Sequence, residues 1–209
     1  MKFRNYQTHA IQEVFRWFDK HSEGHPVIAM PTGTGKSLVL AGIVQEVFNR
    51  YASSRPRVLL LTHVKELIAQ NLDKLLKLWP SAPAGVYSAG LGRKETFAPI
   101  TYAGIASVVK EPALFGRVDI VLIDECHLVS PKEGTMYQTL LGELRKEQPN
   151  LRVIGTTATH YRLGQGALTE DGGLFTDVAV DLTDFDAFNW FLDEGYLVPL
   201  VPRCTKTAL

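Results

Sequence analysis

The stretch PVIAMPTGTGKS, Pro26 to Ser37, constrains this chain more than any other. A short apolar run leads into a glycine-rich turn, and Gly35-Lys36-Ser37 then opens a periodic segment that runs to about Arg50. Strand, turn and helix in that order gather backbone N–H groups into one concavity, with the positive end of a helix behind it. The pattern is that of a phosphate-binding loop, G-x-x-x-x-G-K-[ST], except that Met30 replaces the first glycine. Gly33 and Gly35 permit the inward-pointing amides. Lys36 is placed to neutralise terminal phosphates, and the Ser37 hydroxyl to ligate Mg²⁺.

The rest of the sequence alternates short apolar runs with longer periodic ones. RVLLLTH, AGVYSAG, APITYAG, VDIVLIDE and LRVIGTTAT read as strands. VDIVLIDE is almost uninterrupted, as expected of a central parallel strand covered on both faces. VKELIAQNLDKLLKLW carries Val64, Ile68, Leu72, Leu75 and Trp79 at helical spacing, and Pro80 stops it. Such alternation predicts an α/β fold with a mostly parallel sheet and crossover helices. From about His160 to Asp184 the sequence turns glycine-rich and polar and reads as a long loop. A short helix, a glycine stop and an extended tail follow.

Composition narrows the class. Of 209 residues, 45% are hydrophobic and 21% charged, the balance of a globular domain. Lysine plus arginine and aspartate plus glutamate both number 22, so the formal net charge is zero. That argues against non-specific coating of nucleic acid but not against a local basic face. Cys126 and Cys204 form no CxxC pair, so neither a zinc ribbon nor a disulfide framework is supported. With no apolar signal core and no apolar run of spanning length, the sequence predicts a cytoplasmic domain without membrane contact.

VLIDECH supplies what a phosphate loop needs next. Asp124 ends an apolar strand, where a carboxylate can hold Mg²⁺. Glu125 could accept a proton from an attacking water. His127 follows at the position where a DExH protein couples the nucleotide site to its neighbours, and Cys126 reads as a small packed residue.

Taken together, RNYQTHAI, MPTGTGKS, LTHVKELIAQN, SAGLGRKE, TYAGIASV, VLIDECH, GTTATHYRLG and GYLVP resemble the first motor domain of superfamily 2 DNA helicases and translocases. More narrowly they resemble the RadD-like group, related to the XPB and type I/III restriction motors. The resemblance implies a RecA-like three-layer αβα sandwich over residues 1–195. Residues 196–209 would begin a linker to a second RecA-like domain. On this likeness Met30 is a family variant, and Pro31, Thr32, Gly33, Thr34, Gly35, Lys36 and Ser37 hold ATP. Arg4 and Gln7 read the adenine, and Ser37 and Asp124 bind Mg²⁺. Thr62, His63, Gly90, Arg93 and Thr101 contact the nucleic-acid backbone. Thr157, Ala158 and Thr159 link ATP state to that contact.

The implied function is coupling of ATP hydrolysis to movement on DNA in repair or recombination. A DECH-type RNA helicase and a non-motor ATP-dependent switch are the alternatives. The arginines that complete the site lie in the second domain and are worth about 10³–10⁵ in rate in related NTPases. The chain alone is therefore expected to bind nucleotide and turn it over slowly. One departure stands out: His160 follows Thr-Ala-Thr where the family has proline, which predicts a looser turn.

Overall fold

The structure, a computed structural model, describes residues 2–130, 132, 134–162, 166–170 and 172–199. Among these residues, ten strands and six α-helices follow in the order α1 (Asn5–Lys20), β1 (Pro26–Ala29), α2 (Lys36–Arg50), β2 (Val58–Thr62), α3 (Lys65–Leu78), β3 (Ala84–Ser88), β4 (Arg93–Lys94), β5 (Ile100–Gly104), α4 (Ile105–Val108), β6 (Ile120–Asp124), α5 (Met136–Glu147), β7 (Arg152–Thr157), β8 (Tyr161–Arg162), β9 (Gly166–Ala167), β10 (Asp177–Asp181) and α6 (Phe185–Asp193). Eight strands make one sheet in the order β10-β1-β7-β6-β2-β5-β3-β4. All its pairings are parallel except β3 with β4. This is the expected α/β architecture.

The unbroken apolar strands explain the three layers. Successive side chains of a strand point to opposite faces, so a strand apolar at every position must be covered twice. Along β2, Val58 and Leu60 enter one core, with residues of α1, α2 and α3. Leu59 and Leu61 enter the other, with residues of α4 and α5. The central strands therefore end at one carboxyl edge between two helical layers, which is where ligands bind in open α/β sheets.

The predicted loop over 160–184 holds a surprise. Asp177–Asp181 is a strand, β10, parallel to β1 at the sheet edge. Its alternation is only five residues long, and acids flank it. Val180 reaches the first core, while Leu168, Leu174 and Phe175 from the preceding segment fill the second. Asp177 accepts the Trp17 indole N–H at 2.7 Å, which ties the strand to α1. Charged ends on an edge strand also discourage pairing with another chain.

The end of the fold differs slightly from the expected boundary. Tyr196 and Leu197 N–H groups both donate to Phe191 O, and both side chains pack on the first core. The packed unit thus runs to Leu197. Residues 200–209 of the expected linker lie outside the described residues. Among the described residues no helix is long and apolar enough to cross a membrane.

Candidate nucleotide site and nucleic-acid edge

The phosphate loop leaves the carboxyl end of β1 and enters α2. Gly33 (φ 87°) and Gly35 (φ 90°) both adopt the left-handed conformation. At Gly35 a Cβ would also lie 2.6 Å from Gln7 Nε2, so two independent constraints exclude a side chain there. Met30 answers the question its position raised. Its side chain is buried in the first core, and its N–H donates to Thr157 O at 2.9 Å. The residue is a core anchor, a role for which a glycine is not needed.

Lys36 is nearly buried. Its Nζ lies 3.4 Å from Met30 O and 3.8 Å from Glu125 Oε1. Pro31 O accepts from the Thr34 hydroxyl at 2.7 Å, which closes the turn. Thr34 O in turn accepts from Tyr6 Oη (2.8 Å) and Gln7 Nε2 (2.9 Å). The start of α1 therefore braces the loop from outside. Gln7 Oε1 accepts the Arg4 N–H at 3.0 Å, so both ends of the amide already have partners in the protein. Arg4 donates to Tyr6 Oη and lies 4.4 Å over the Tyr196 ring. Placement makes Gln7 a brace of the phosphate loop. Arg4 and Gln7 also line a cleft of about 350 Å³ with Gly33, Gly35, Ser37 and Lys74.

Asp124 ends β6 and is buried. Its Oδ1 accepts from the Thr156 hydroxyl (3.0 Å) and the Glu125 N–H (3.1 Å), and its Oδ2 accepts from Asn71 Nδ2 (3.0 Å). Thr156 is its direct partner across the β6–β7 ladder. Glu125 follows with φ 53°, a left-handed backbone that costs a non-glycine residue about 1–2 kcal/mol. Arg55 is the other such non-glycine residue among those described, and it sits in a surface turn. Strain at Glu125 turns its carboxylate across the edge, between Lys36 Nζ and His127 Nδ1, the latter at 3.4 Å from Oε2.

His127 reaches the coupling segment. Its Nδ1 lies 3.0 Å from Thr157 Oγ1. That hydroxyl donates to Thr159 O at 2.8 Å and accepts from Thr159 N at 3.1 Å. With the hydroxyl proton committed, the imidazole is the donor in this contact. One continuous chain thus joins Lys36, Glu125, His127, Thr157 and Thr159, with Met30 bonded back to Thr157. Ala158 lies between the two threonines. The expected looseness at His160 is not what the structure places there. His160 Nδ1 sits 3.6 Å from Asp181 Oδ2 and 3.5 Å from the Thr183 hydroxyl, so β10 holds the turn.

The residues assigned to nucleic acid are brought to the same edge only in part. His63 and Gly90 are there and exposed. The His63 ring packs 5.2 Å from Tyr137, and burial, then His127, hold its pKa below the ordinary value. Arg93 lies beyond them on β4, bidentate to the Glu95 carboxylate. Thr62 is buried, its hydroxyl donating to Val64 O at 3.0 Å. Thr101 is a correction. It is buried near the amino end of β5 and donates to Ala98 O at 3.2 Å, so its side chain is not presented to a ligand. The carboxyl end of that strand is Gly104, and Ser107 just beyond it accepts the Ala89 N–H at 3.1 Å.

Four participants escaped the sequence reading: Tyr6, Asn71, Lys74 and Thr156. Asn71 did carry a signal, as a polar residue at i+3 from Ile68 and i−4 from Leu75 on a buried helical stripe. Thr156 was readable only once its strand was paired with β6.

The donor set suits a hard cation. Ser37 Oγ and the Asp124 carboxylate offer oxygen alone, and Mg²⁺ is commonly held by one or two carboxylates together with substrate phosphates. Among the described residues no group of three or more His, Cys, Asp or Glu side chains could hold a metal ion by itself.

Comparison with known proteins places the chain in a family and finds relatives of its fold. Residues 1–162 match the family described as the type III restriction enzyme Res subunit. Activating signal cointegrator 1 complex subunit 3 from Rattus norvegicus and from Mus musculus is 20% identical over 152 residues. That alignment covers 65% of this chain and 7% of those proteins. A nuclease-deletion mutant of the type ISP restriction-modification enzyme LlaGI, solved in complex with a DNA substrate mimic, superposes with a TM-score of 0.67 at 14% identity. It covers 94% of this chain and 21% of that one. The Pyrococcus furiosus Hef helicase domain gives 0.66 at 18% identity, covering 90% and 40%. T4 UvsW gives 0.60 at 20%, covering 85% and 34%. The fold is shared with all three solved structures.

Proposed function

The chain belongs to the type III restriction enzyme Res-subunit family, a superfamily 2 motor-domain fold, and from that premise we propose that it is the ATP-binding half of a DNA motor. The narrower likeness to the RadD-like group rests on the motifs alone. The observation that carries the proposal is the connected chain from Lys36 through Glu125 and His127 to Thr157 and Thr159. It ties a phosphate site directly to a segment that leads toward the nucleic-acid edge.

The residues divide the work. The amides of Gly33 to Ser37 and Lys36 Nζ hold phosphate oxygens. Ser37 and Asp124 hold Mg²⁺, which supplies charge neutralisation at the phosphates when bound. Glu125 orients a water in line with the terminal phosphate and takes its proton. Lys36, now drawn to phosphate, releases Glu125 for that role. His127 passes the change to Thr157. Because this is phosphoryl transfer to water, positioning and electrostatics provide most of the acceleration.

A second RecA-like domain would close over the nucleotide and supply the missing cation. DNA is the proposed track, since one structural neighbour was solved with a DNA mimic. The test has two arms. Calorimetry with Mg·ATP on this chain should give saturable binding that is lost in Lys36→Ala. In the protein carrying both motor domains, phosphate release should be stimulated by DNA. Stimulation by RNA alone would redirect the assignment to an RNA helicase. Tight binding without turnover in that protein would redirect it to a switch.

A further inference from the structure

Helix α3 presents Ile68, Asn71 and Leu75 to the interior. Ile68 and Leu75 join the apolar core. Asn71 sits between them, 1% exposed. A leucine would suit that packing better, because a buried amide must find partners for two donors and an acceptor. Only part of that demand is met. Nδ2 donates to Asp124 Oδ2 at 3.0 Å, while Oδ1 is buried with no hydrogen-bond partner among the described residues. Turning the amide over would set Oδ1 against the carboxylate, oxygen to oxygen. The Asp124 carboxylate therefore fixes the orientation. The arrangement serves Asp124 at the expense of the core.

The two oxygens of Asp124 are held from different layers. Oδ1 is held by the neighbouring strand through Thr156 and by the next N–H of its own chain. Those contacts bear on Oδ1 alone. The bond from α3 adds the one hold on Oδ2 among the described residues, and so resists turning of the carboxylate about its Cβ–Cγ bond. The same helix begins directly after Thr62 and His63, and Lys65 in its first turn lies beside Gly90, whose added Cβ would meet Lys65 Cδ at 3.3 Å. Asn71 is six residues further on, about 9 Å along a rigid rod.

Building on the nucleotide reading above, we propose that Asn71 is a positioning residue: it orients the metal-binding carboxylate of Asp124 and, through α3, ties it to the nucleic-acid edge. Asn71 is buried on the inner face of α3, so the role proposed for it acts through Asp124.

The test compares wild type with Asn71→Leu, and with Asn71→Ala as a smaller replacement should leucine not fold. ATP affinity is measured by calorimetry with Mg²⁺ and again in EDTA, beside thermal unfolding. The expected result is an Mg·ATP affinity about tenfold weaker, from loss of one hydrogen bond to a charged group. Affinity in EDTA and the unfolding temperature should stay at wild-type values or, for leucine, the latter should rise. Unchanged Mg·ATP affinity overturns the proposal. So does an equal loss with and without Mg²⁺, which would mark a merely structural residue. Failure of the wild type to bind Mg·ATP defeats the nucleotide reading instead. A second readout is the factor by which Mg·ATP changes affinity for a single-stranded oligonucleotide, which should shrink toward one in Asn71→Leu. A wild-type factor of one overturns the link through α3.

Discussion

Two stretches of the same carboxyl edge are built differently. Around β1, β6 and β7 polar groups are held by partners from distant parts of the sequence: the Asp124 carboxylate by α3 and β7, the Thr34 carbonyl by α1, and the Glu125 carboxylate by Lys36 of the phosphate loop. Around β2 and β3 the side chains assigned to nucleic acid bond close by in sequence. Thr62 bonds to Val64 and Arg93 to Glu95. The first stretch is cross-braced between separate elements, the arrangement that a preorganised catalytic site would use. The second offers exposed backbone and turn residues. Such groups suit phosphate contacts that position a strand without reading its sequence.

The sharpest way to break this contrast is at Glu125. Glu125→Gln keeps the shape and the strained backbone but cannot take a proton. Turnover by the two-domain protein should fall by about 10²–10⁴, the usual worth of a general base. Mg·ATP binding should persist. A fall of less than tenfold in phosphate release would remove Glu125 from the reaction, and with it the reason for its strain.

Lys36→Ala should come next. It removes the phosphate ligand and leaves Glu125 without its nearest cation. Truncating one member of such a pair typically costs about 2–5 kcal/mol, or roughly 30-fold to several-thousand-fold in ATP affinity. Affinity for an oligonucleotide in the absence of nucleotide should not change. Equal losses in both measurements would mean that the two stretches are one site.

Much of the cross-braced stretch was legible because it is local in sequence. The phosphate loop and the acid pair each fit in seven or eight residues and sit at the ends of apolar strands. The sheet was legible for the same reason, since uninterrupted runs such as VLLL and IVLI demand cover on both faces. The partners that hold the site were harder to read. Asn71 and Thr156 meet Asp124 only through crossover and strand pairing, and the brace from Tyr6 and Gln7 spans 28 and 27 residues. The strand β10 was hidden by its shortness and by the glycines before it. On the nucleic-acid stretch, residue type alone could not say which way Thr62 and Thr101 point, and both point inward.

The opposite, amino end of the sheet gives a third kind of chemistry and a pH test. His25 Nε2 lies 2.8 Å from the Arg145 guanidinium, and Arg152 is close by. Burial first, then these cations, lower the His25 pKa from 6.5 to about 4. The unfolded chain therefore takes up the proton first, and stability is lost as pH falls from about 6.5 toward 4. Allowing for solvent screening of a partly exposed group, the loss should be about 1 kcal/mol between pH 7 and pH 5. Denaturant unfolding at the two pH values checks this, and His25→Gln should flatten the difference. An unchanged slope in the variant would assign the acid sensitivity elsewhere.

The smallest effect should come from the loosest residue. Arg93 is exposed and paired with Glu95 two positions away, so Arg93→Ala should change stability by less than about 0.5 kcal/mol. Glu95 keeps its other anchor, the Val86 N–H at 2.9 Å, so the β3–β4 turn should survive. If Arg93 leaves Glu95 for a phosphate when nucleic acid binds, the salt dependence of oligonucleotide affinity should lose about one phosphate contact from its slope. Because the guanidinium must first give up a carboxylate, the loss of affinity at low salt should be modest and uniform across sequences. A salt slope identical to wild type would show that Arg93 keeps its carboxylate throughout. Contact on this stretch would then rest on the backbone around His63 and Gly90, and the contrast between the two halves of the edge would be sharper than side chains alone suggest.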